Sequence, residues 1–487
     1  MENTLMENAL PKEEKKLIKP SEFVLYLVAV FFYTNMTGMI GAYRNDYLVN
    51  VLQISSGKLS LYNTLISIIP FVLNFFIAMY IDGRKMGKSG KFRPLALLSA
   101  VPTGVLLVLS FITPKVFSGT ILMIYLVTVA VAWSIATSFG NTTNMVAVVM
   151  TPNLKERDSI MSFRGIVSAV GNSAPLVIVL VIGIFAKDKG TRFIISSALC
   201  SVVGILAMLI GMKAVRERVN YTTEKKNPLA GFGSILSNKY AWAIIISEFL
   251  KSFRGIATYM GVFMAGALLG DTDKFLLFGL PTGIGTAVGM LIINFLLKKF
   301  NSKVLYIASG IYSVTINVFA FLVGYIYFKN PNPILQIVFI VFLFLIGLQF
   351  GASNLLPSML QADVLEDIEL KTGKRLDASF PFVIGIGTMI SGTIAGALAP
   401  RILYDDPTTG WKSIIGYMPG LADDTAQSLD SKIKLLFFYT IVHGIMMFLA
   451  GVPFFFYKLT GETKEKIHNA VIEQRKQFES SDAARES

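Results

Sequence analysis

The sequence predicts an all-α membrane protein with twelve transmembrane helices, and three observations support this prediction. Of 487 residues, 53% are hydrophobic and 15% are charged, and the mean hydropathy of +0.61 is too high for a soluble chain of this length. Twelve apolar segments are each long enough to cross a bilayer. Basic residues are concentrated in the short loops between these segments, as the positive-inside rule predicts.

The apolar segments follow one another after a polar N-terminal stretch that lacks the apolar core of a signal peptide. They cover residues 22–49, 59–81, 94–113, 119–148, 162–186, 192–214, 241–268, 275–297, 303–328, 333–360, 378–402 and 433–457. With both termini inside, the loops assigned to the cytoplasm carry most of the lysines and arginines. We therefore expect a multi-pass protein of the cell inner (plasma) membrane with both termini cytoplasmic.

The longest basic connection between spans divides the chain into six helices plus six. It holds Arg216, Arg218, Lys225 and Lys226. We predict a cytoplasmic N-terminal tail at 1–21, a six-helix half at 22–214, a cytoplasmic linker at 215–240, a second half at 241–457 and a cytoplasmic tail at 458–487. Chains of this kind place a binding site near the membrane midplane, between the two halves.

Three charges lie inside the seventh span, at Glu248, Lys251 and Arg254. Each costs about 2.5–3.5 kcal/mol at the bilayer centre on insertion scales, so these side chains are expected to face the bundle interior. Their spacing places Glu248 beside Lys251, and Lys251 beside Arg254, on one broad face. In one interpretation, all three side chains face a substrate. In the other, Glu248 forms an ion pair within the helix, and Arg254 either hydrogen-bonds to another helix or extends to the membrane interface.

Polar residues form stripes along several spans. They are Thr34, Thr37, Gly41 and Arg44 in the first span, Asn63, Ser67, Pro70 and Asn74 in the second, Ser134, Thr137, Asn141 and Asn144 in the fourth, and Gln349 and Ser353 in the tenth. The stripes of the first, second and fourth spans together favour a polar cavity, although each residue could equally hydrogen-bond between helices. In the tenth span, Pro357 is expected to break the helix near its cytoplasmic end.

Several classes of function have no support in the sequence. There is no phosphate-binding loop, no nucleophile elbow and no His-Glu-x-x-His motif, and the net charge of +13 reflects membrane topology rather than nucleic-acid binding. Cys200 is the one cysteine, so no intramolecular disulfide forms. His443 is assigned to packing or helix–helix bonding, because a metal site needs more ligands. We expect no cofactor beyond a coupling proton or sodium ion, and no enzymatic activity.

Three loop motifs resemble those of the glycoside-pentoside-hexuronide:cation symporters. They are residues 82–94 (DGRKMGKSGKFRP), residues 150–157 (MTPNLKER) followed by 162–165 (SFRG), and residues 362–375 (ADVLEDIELKTGKR). The resemblance implies a major facilitator fold and sugar transport by alternating access, usually driven by sodium, lithium or protons. It covers nearly the whole chain.

The resemblance carries over only part of the family's charged site. The sugar-binding arginine of the fifth helix matches Arg164, but the first-helix aspartate falls at Thr34, beside Asn35. The two cation-site aspartates of the second helix fall at Pro70 and Asn74, the fourth-helix aspartate at Gly140 or Asn141, and the eleventh-helix lysine at Met389. Since Asn and Thr do not titrate, proton coupling has either moved to another acid, Glu248 or Asp46, or been lost.

The charges expected inside the bundle favour an anionic substrate. Arg44, Arg164, Lys251 and Arg254 outnumber Asp46 and Glu248, and a guanidinium binds carboxylate bidentately. We therefore expect a secondary transporter of a sugar or glycoside, such as a uronate, glucuronide or sulfonated sugar, with proton coupling favoured over sodium. A neutral glycoside is almost as well supported. The alternatives are an uncoupled facilitator for an organic anion or amphiphile and, less favoured, a membrane sensor or intramembrane enzyme.

The candidate residues fall into three groups. For substrate binding they are Arg164, Thr34, Asn35, Thr37, Asn141, Asn144, Lys251, Arg254 and Gln349; for coupling, Glu248 and Asn74; for a cytoplasmic salt-bridge gate, Asp82, Arg93, Asp363 and Arg375. The gate charges could instead be solvated loops that obey the positive-inside rule. We expect a monomer whose partners are a small-molecule sugar and the lipid bilayer, and no nucleic acid.

Overall fold

The structure, a computed structural model, describes residues 17–84, 87, 89–113, 117–219, 231–373, 376, 379–471 and 473–474. Its first seven helices are α1 (Pro20–Asp46), α2 (Ser56–Gly83), α3 (Arg93–Leu109), α4 (Gly119–Gly140), α5 (Thr142–Val149), α6 (Leu154–Phe185) and α7 (Lys189–Ala214). The others are α8 (Phe232–Leu236), α9 (Lys239–Ser252), α10 (Gly255–Leu269), α11 (Leu276–Leu296), α12 (Ser302–Lys329), α13 (Pro333–Thr372), α14 (Ser379–Leu403) and α15 (Leu429–Gly451).

The helices reproduce the expected membrane spans. Within the described residues, eleven helical stretches are long and apolar enough to cross a membrane, and α3 is a shorter apolar helix in the position of the third span. Large apolar side chains such as Phe185, Leu98 and Leu291 are exposed on the helix surfaces, as lipid contact requires. The prediction of an all-α membrane protein is confirmed.

Two spans are interrupted where the sequence suggested continuous helices. The fourth span consists of α4 and α5, which are separated at Asn141, and the seventh consists of α9 and α10, which are separated at Phe253 and Arg254. Glycines adjoin both breaks, Gly140 before the first and Gly255 after the second. Glycine weakens a helix interior by about 1 kcal/mol relative to alanine, which makes these positions suitable for an interruption.

The expectation that Pro357 breaks the tenth span is wrong, because α13 runs through this residue to Thr372. Leu356, just before the proline, and Leu360 and Val364, beyond it, recur every four residues and are completely buried in the core of the second unit. Their burial stabilises the helix past the missing backbone donor. Much of the charged stretch 362–375 is therefore helix rather than loop.

By its contacts the chain forms two compact units. The first unit comprises residues 1–47 and 69–225, and the second comprises residues 48–68 and 226–487. In the first unit, α1 packs against α6 and α7. Gly38 permits this close approach, because a Cβ atom there would overlap the backbone carbonyl of Asn172 on α6.

The second unit is held together by an equally close helix pair, α11 and α13. A Cβ atom at Gly285 would overlap the carbonyl of Phe344, and a Cβ atom at Gly347 would overlap the carbonyl of Thr282. Small residues of this kind allow helix backbones to approach closely inside a membrane, where packing replaces the hydrophobic effect as the driving force.

Residues 48–68 belong to the first six spans in chain order, yet their contacts group them with the second unit. Asn63 Nδ2 donates to the Gly396 carbonyl at 2.8 Å, and the Tyr404 hydroxyl donates to the Ile54 carbonyl at 2.5 Å. The Gly57 amide donates to the buried carboxylate of Asp406 at 3.0 Å. These bonds tie the start of α2 to α14 and to the loop that follows α14.

Candidate functional site

In the first unit, the polar residues of the fourth span surround the break at Asn141. The Tyr33 hydroxyl of α1 lies 2.9 Å from Asn141 Oδ1 and 2.9 Å from the carbonyl oxygen of Thr137, which is in the last turn of α4. The Asn141 amide also donates to the Thr137 carbonyl, at 2.8 Å, so this oxygen accepts both a backbone and a side-chain hydrogen bond at the break. Asn141 itself is exposed.

Arg164 of α6 is anchored to the short helix α5. Its Nη1 atom donates to the carbonyl of Asn144 at 3.1 Å, while its Nε atom is buried without a hydrogen-bond partner. The Tyr26 hydroxyl donates to the neighbouring Thr143 carbonyl at 3.2 Å. The structure therefore brings three predicted site residues, Asn141, Asn144 and Arg164, to one interrupted span of the first unit.

The predicted polar residues of α1 differ in their surroundings. Thr34 is buried and its hydroxyl donates to the Val30 carbonyl at 2.9 Å, while the Thr37 hydroxyl donates to the Thr34 carbonyl at 3.0 Å. Both bonds lie within the helix itself. Asn35 is 1% exposed, and neither its Oδ1 nor its Nδ2 atom has a hydrogen-bond partner.

Asn74, a predicted coupling residue, links α2 to α4. Its Nδ2 atom donates to the Ser134 hydroxyl at 3.2 Å, and its Oδ1 atom accepts from the Ser138 hydroxyl at 2.7 Å. Asn63, earlier in the same stripe, bonds the Gly396 carbonyl. Both amides of this stripe are thus engaged in helix–helix hydrogen bonds, which was the alternative interpretation of the polar pattern.

In the second unit, the ion pair expected from the sequence spacing is present. Lys251 Nζ lies 2.5 Å from Glu248 Oε1, and the side chains are only 17% and 15% exposed. Beside them, the Ser247 hydroxyl lies 3.1 Å from the hydroxyl of Tyr306 on α12. The pair lies in the last turn of α9, immediately before the break in the seventh span.

Arg254 occupies the break itself and makes an aromatic contact instead of an ion pair. Its guanidinium carbon lies 4.8 Å from the centroid of the Phe350 ring on α13, and Phe350 meets the His443 ring edge-on with the centroids 5.0 Å apart. The Nη1 atom of Arg254 is buried without a hydrogen-bond partner. Within the described residues, no carboxylate forms an ion pair with this arginine.

Gln349 lies next to Phe350 in the chain but points into the interior of the second unit. It is 1% exposed, and its Nε2 atom donates to the Ser353 hydroxyl at 2.5 Å. Its Oε1 atom has no partner. Asn354, next to Ser353 in the chain, is exposed.

The predicted gate residues that can be described are bonded within their own units. Arg93 donates from Nε to the Met212 carbonyl at 2.7 Å. Asp363 is buried and forms an ion pair of 2.8 Å with Lys464 of the C-terminal tail. The side chain of Asp82 and all of Arg375 lie outside the described residues.

A cavity in the second unit brings together residues that the sequence did not connect. It has a volume of about 290 Å³ and lies among α10, α11, α12, α13 and α15. Its walls combine aromatic rings, including Phe350, with Asn317 and His443. Sequence reasoning missed Asn317, although Ser309 and Ser313 precede it at four-residue intervals on the same helix, and assigned His443 to packing. Across the described part of the chain, no group of three or more His, Cys, Asp or Glu residues could hold a metal ion.

Relatives named as transporters align with most of this chain. The uncharacterized symporter YjmB of Bacillus subtilis (strain 168) is 27% identical over 399 residues, which cover 80% of this chain and 81% of the relative. The putative glycoside/cation symporter YagG of Escherichia coli (strain K12) is 23% identical, over 88% of this chain and 90% of the relative. The putative sulfoquinovose importer of the same strain is 25% identical, over 86% and 87%.

Solved transporter structures show the same fold. The crystal structure of nucleoside transporter NupG has a TM-score of 0.59 at 13% identity, and covers 90% of this chain and 100% of that chain. A bacterial homologue of the human lysosomal transporter Spinster, in an inward-facing and unoccupied conformation, has a TM-score of 0.57 at 15% identity, over 90% and 98%. At these identities the likeness establishes the major facilitator fold alone.

The sequence family extends this result from the fold to the class of activity. The model described as MFS/sugar transport protein matches residues 24–461, which is nearly the whole chain. Together with the symporter relatives, it confirms the resemblance seen in the loop motifs. The protein is a multi-pass membrane transporter of the sugar-transport class and is not an enzyme. The chain belongs to the MFS/sugar transport protein family.

Proposed function

We propose that this protein is a proton-coupled symporter of an anionic sugar or glycoside, such as a uronate, a glucuronide or a sulfonated sugar. The observation that carries the proposal is the buried guanidinium of Arg254, which is unpaired among the described residues. Its Nη1 atom is buried without an acceptor, while the neighbouring Lys251 is already paired with Glu248. The second unit therefore holds an unbalanced cation inside a membrane span.

An unbalanced guanidinium is costly in this environment, and an anionic ligand would remove much of the cost. A cation at the bilayer centre costs about 2.5–3.5 kcal/mol on insertion scales. Carboxylate and sulfonate oxygens accept hydrogen bonds from a guanidinium in a bidentate arrangement. The Phe350 ring already holds the guanidinium of Arg254 in place, so little side-chain entropy remains to be lost when an anion binds.

The names of two relatives support the substrate class and the coupling. One relative is named a putative sulfoquinovose importer, and sulfoquinovose is a sulfonated sugar. Another is named a putative glycoside/cation symporter. Both align with more than four fifths of this chain, so a related substrate and a coupling cation are reasonable for this protein.

Glu248 is our candidate for the coupling residue. At the positions where the resemblance places coupling aspartates, this chain has Pro70 and Asn74, neither of which titrates. Glu248 forms an ion pair with Lys251, and the adjacent Ser247 is hydrogen-bonded to the Tyr306 hydroxyl on α12. Protonation of Glu248 would release Lys251 as a second cation for the substrate. A proton and an anion would then strengthen each other's binding, as symport requires.

The same ion pair favours one alternative, an uncoupled facilitator for an organic anion. If Glu248 serves only to neutralise Lys251 inside the span, no proton needs to move. Imposed gradients separate the two functions, because only a symporter accumulates substrate above its outside concentration.

The charge preference is tested by ligand binding to the purified protein. We expect D-glucuronate to bind at least about tenfold more tightly than D-glucose, because a charge-assisted bond contributes about 1.5–3 kcal/mol. Methyl β-D-glucuronide keeps the carboxylate but has no free anomeric hydroxyl. Its affinity, compared with that of glucuronate, therefore shows whether the protein recognises the acid group or the anomeric hydroxyl. Equal affinity for glucuronate and glucose would contradict an anionic substrate.

A further inference from the structure

Two buried side chains that line the cavity of the second unit each keep one polar atom without a hydrogen-bond partner among the described residues. Asn317 of α12 is 1% exposed and His443 of α15 is 4% exposed, and both line the cavity of about 290 Å³. The Asn317 Oδ1 atom and the His443 Nε2 atom each lack a hydrogen-bond partner. An unsatisfied buried polar group costs about 1–3 kcal/mol, so a ligand that bonds both would be stabilised.

The orientation of Asn317 is fixed by its own helix. Its Nδ2 atom donates to the Ser313 carbonyl one turn earlier, at 2.8 Å. With this nitrogen engaged, the amide presents its oxygen as an acceptor. Close packing of Gly444 against the Cβ atom of Asn317 brings α15, and with it the neighbouring His443, beside α12.

Two threonines of α11, Thr282 and Thr286, also line the cavity and present acceptors. The Thr282 hydroxyl donates to the Phe278 carbonyl at 2.8 Å, and the Thr286 hydroxyl donates to the Thr282 carbonyl at 2.8 Å. Each hydroxyl proton is therefore used within α11, and each oxygen keeps its lone pairs. A ligand matching these threonines and Asn317 must supply several hydrogen-bond donors, and a polyhydroxylated ring does so.

We propose that this cavity binds the uncharged, hydroxylated ring of the substrate while Arg254 binds its acid group. This inference rests on the proposed function: it takes the substrate to be an anionic sugar and assigns the uncharged ring of that sugar to the residues that line the cavity. Phe350 connects the two parts, since it lies under the Arg254 guanidinium and also lines the cavity. Thr258, one turn after Arg254 on the same span, lines the cavity as well. The aromatic walls suit the C–H faces of a sugar ring.

The test uses two probes that differ in their hydroxyl groups. D-Glucuronate and cyclohexanecarboxylate each have a six-membered ring with one carboxylate, but only glucuronate carries hydroxyls. We expect the purified wild-type protein to bind glucuronate at least about tenfold more tightly, or about 1.4 kcal/mol. Asn317→Leu and His443→Phe should each reduce this preference about tenfold, because the acceptor or the ring nitrogen is lost. His443→Gln should restore part of it.

Controls separate this cavity from the anion site and from misfolding. Arg254→Gln should weaken both probes by the same factor and leave the preference intact. Thr315→Val removes a hydroxyl from α12 that donates to the Ile311 carbonyl and is exposed, so it should change neither affinity. If Asn317→Leu does not fold, Thr286→Val replaces it, because valine keeps the shape and removes one acceptor.

The outcomes distinguish this inference from the proposed function. One outcome is that wild-type protein binds glucuronate and cyclohexanecarboxylate equally and that Arg254→Gln weakens the binding of both. This outcome would support the anion site and overturn the assignment of the ring to the cavity. An unchanged preference in folded Asn317→Leu and His443→Phe variants would also overturn it. Wild-type protein that binds D-glucose but neither anion would contradict the proposed function, and this inference would fall with it.

Discussion

The guanidinium of Arg254 lies over the ring of Phe350, with its carbon 4.8 Å from the ring centroid. This contact places a cation at the break of an interrupted membrane helix and holds it there without a carboxylate partner among the described residues. Lys251, three residues earlier, is neutralised by Glu248. The two cations of one span are therefore in different states, and only Arg254 is positioned to accept an anion without breaking an existing ion pair.

Replacing Arg254 with glutamine should weaken the binding of D-glucuronate by at least about tenfold, because a charge-assisted bidentate bond is lost. Arg254→Lys should be intermediate, since an ammonium group cannot form the bidentate pair. Competition binding measures both. Arg401→Gln is the matched control, because Arg401 also lies over an aromatic ring, Trp411, at 5.7 Å but at the end of α14. Equal losses in the two variants would remove Arg254 from the site.

Glu248→Gln should abolish proton-driven accumulation and spare exchange of substrate across the membrane. The glutamine cannot release a proton, while substrate can still bind and cross. Uptake and exchange by proteoliposomes measure the two activities separately. Unchanged accumulation would remove Glu248 from coupling.

The double variant Glu248→Gln/Lys251→Met distinguishes two roles of Glu248, which are to carry the coupling proton and to neutralise Lys251. If another group carries the coupling proton and Glu248 only neutralises Lys251, removing both charges should restore accumulation, because no unpaired lysine remains in the span. If Glu248 carries the coupling proton, accumulation should stay lost. Restored accumulation would therefore favour a structural ion pair.

Arg164→Ala should weaken substrate binding without loss of folded protein. Arg164 makes one bond to the Asn144 carbonyl, and the Tyr26 and Tyr33 hydroxyls continue to hold the interrupted span. Binding of D-glucuronate and elution on size exclusion measure the two effects. Full binding in the folded variant would return Arg164 to a purely structural role at the break.

Asp406→Asn should lower the free energy of unfolding by about 1–3 kcal/mol at neutral pH. The Asp406 carboxylate accepts from the Gly57 amide at 3.0 Å and from the Thr408 amide at 3.0 Å, and the substitution weakens these bonds. Burial alone would raise the pKa of Asp406, but the hydrogen bonds from Thr408 and Gly57 outweigh burial and hold the pKa below its usual value.

The direction of the pH dependence follows from this lowered pKa. The carboxylate contributes its stability above the unfolded-chain pKa of about 3.9, and the contribution is lost as the pH falls through the folded value. The apparent melting temperatures of wild type and Asp406→Asn should therefore differ at pH 7 and converge towards pH 3. Asp405→Asn, at a more exposed carboxylate paired with Lys412, should have a smaller effect. A constant difference across this pH range would contradict the assignment.

The membrane spans could be predicted from the sequence because length and hydropathy are properties of single segments. The ion pair of Glu248 and Lys251 could also be predicted, since a spacing of three residues defines neighbours on a helix. The breaks at Asn141 and Arg254 had a signal, the adjoining glycines Gly140 and Gly255, although many glycines in membrane helices serve close packing instead.

The partners of the polar stripes could not be predicted. Spacing identifies the face of a helix on which Asn63 and Asn74 lie, but not what that face contacts, and both amides bond other helices. Asn317 continues a buried series with Ser309 and Ser313, but this spacing does not show that the series faces His443 of α15 across a cavity. The proline at 357 was misjudged because burial of the following leucines outweighs its local effect.

The most direct test is uptake of labelled D-glucuronate and D-glucose into proteoliposomes under an imposed proton gradient, a sodium gradient or none. The account predicts accumulation of glucuronate above its outside concentration only when the proton gradient is present, with little uptake of glucose. Equilibration of glucose, indifferent to every gradient, would contradict the account: it would make the protein a facilitator of neutral sugars and leave Glu248, Lys251 and Arg254 with structural roles.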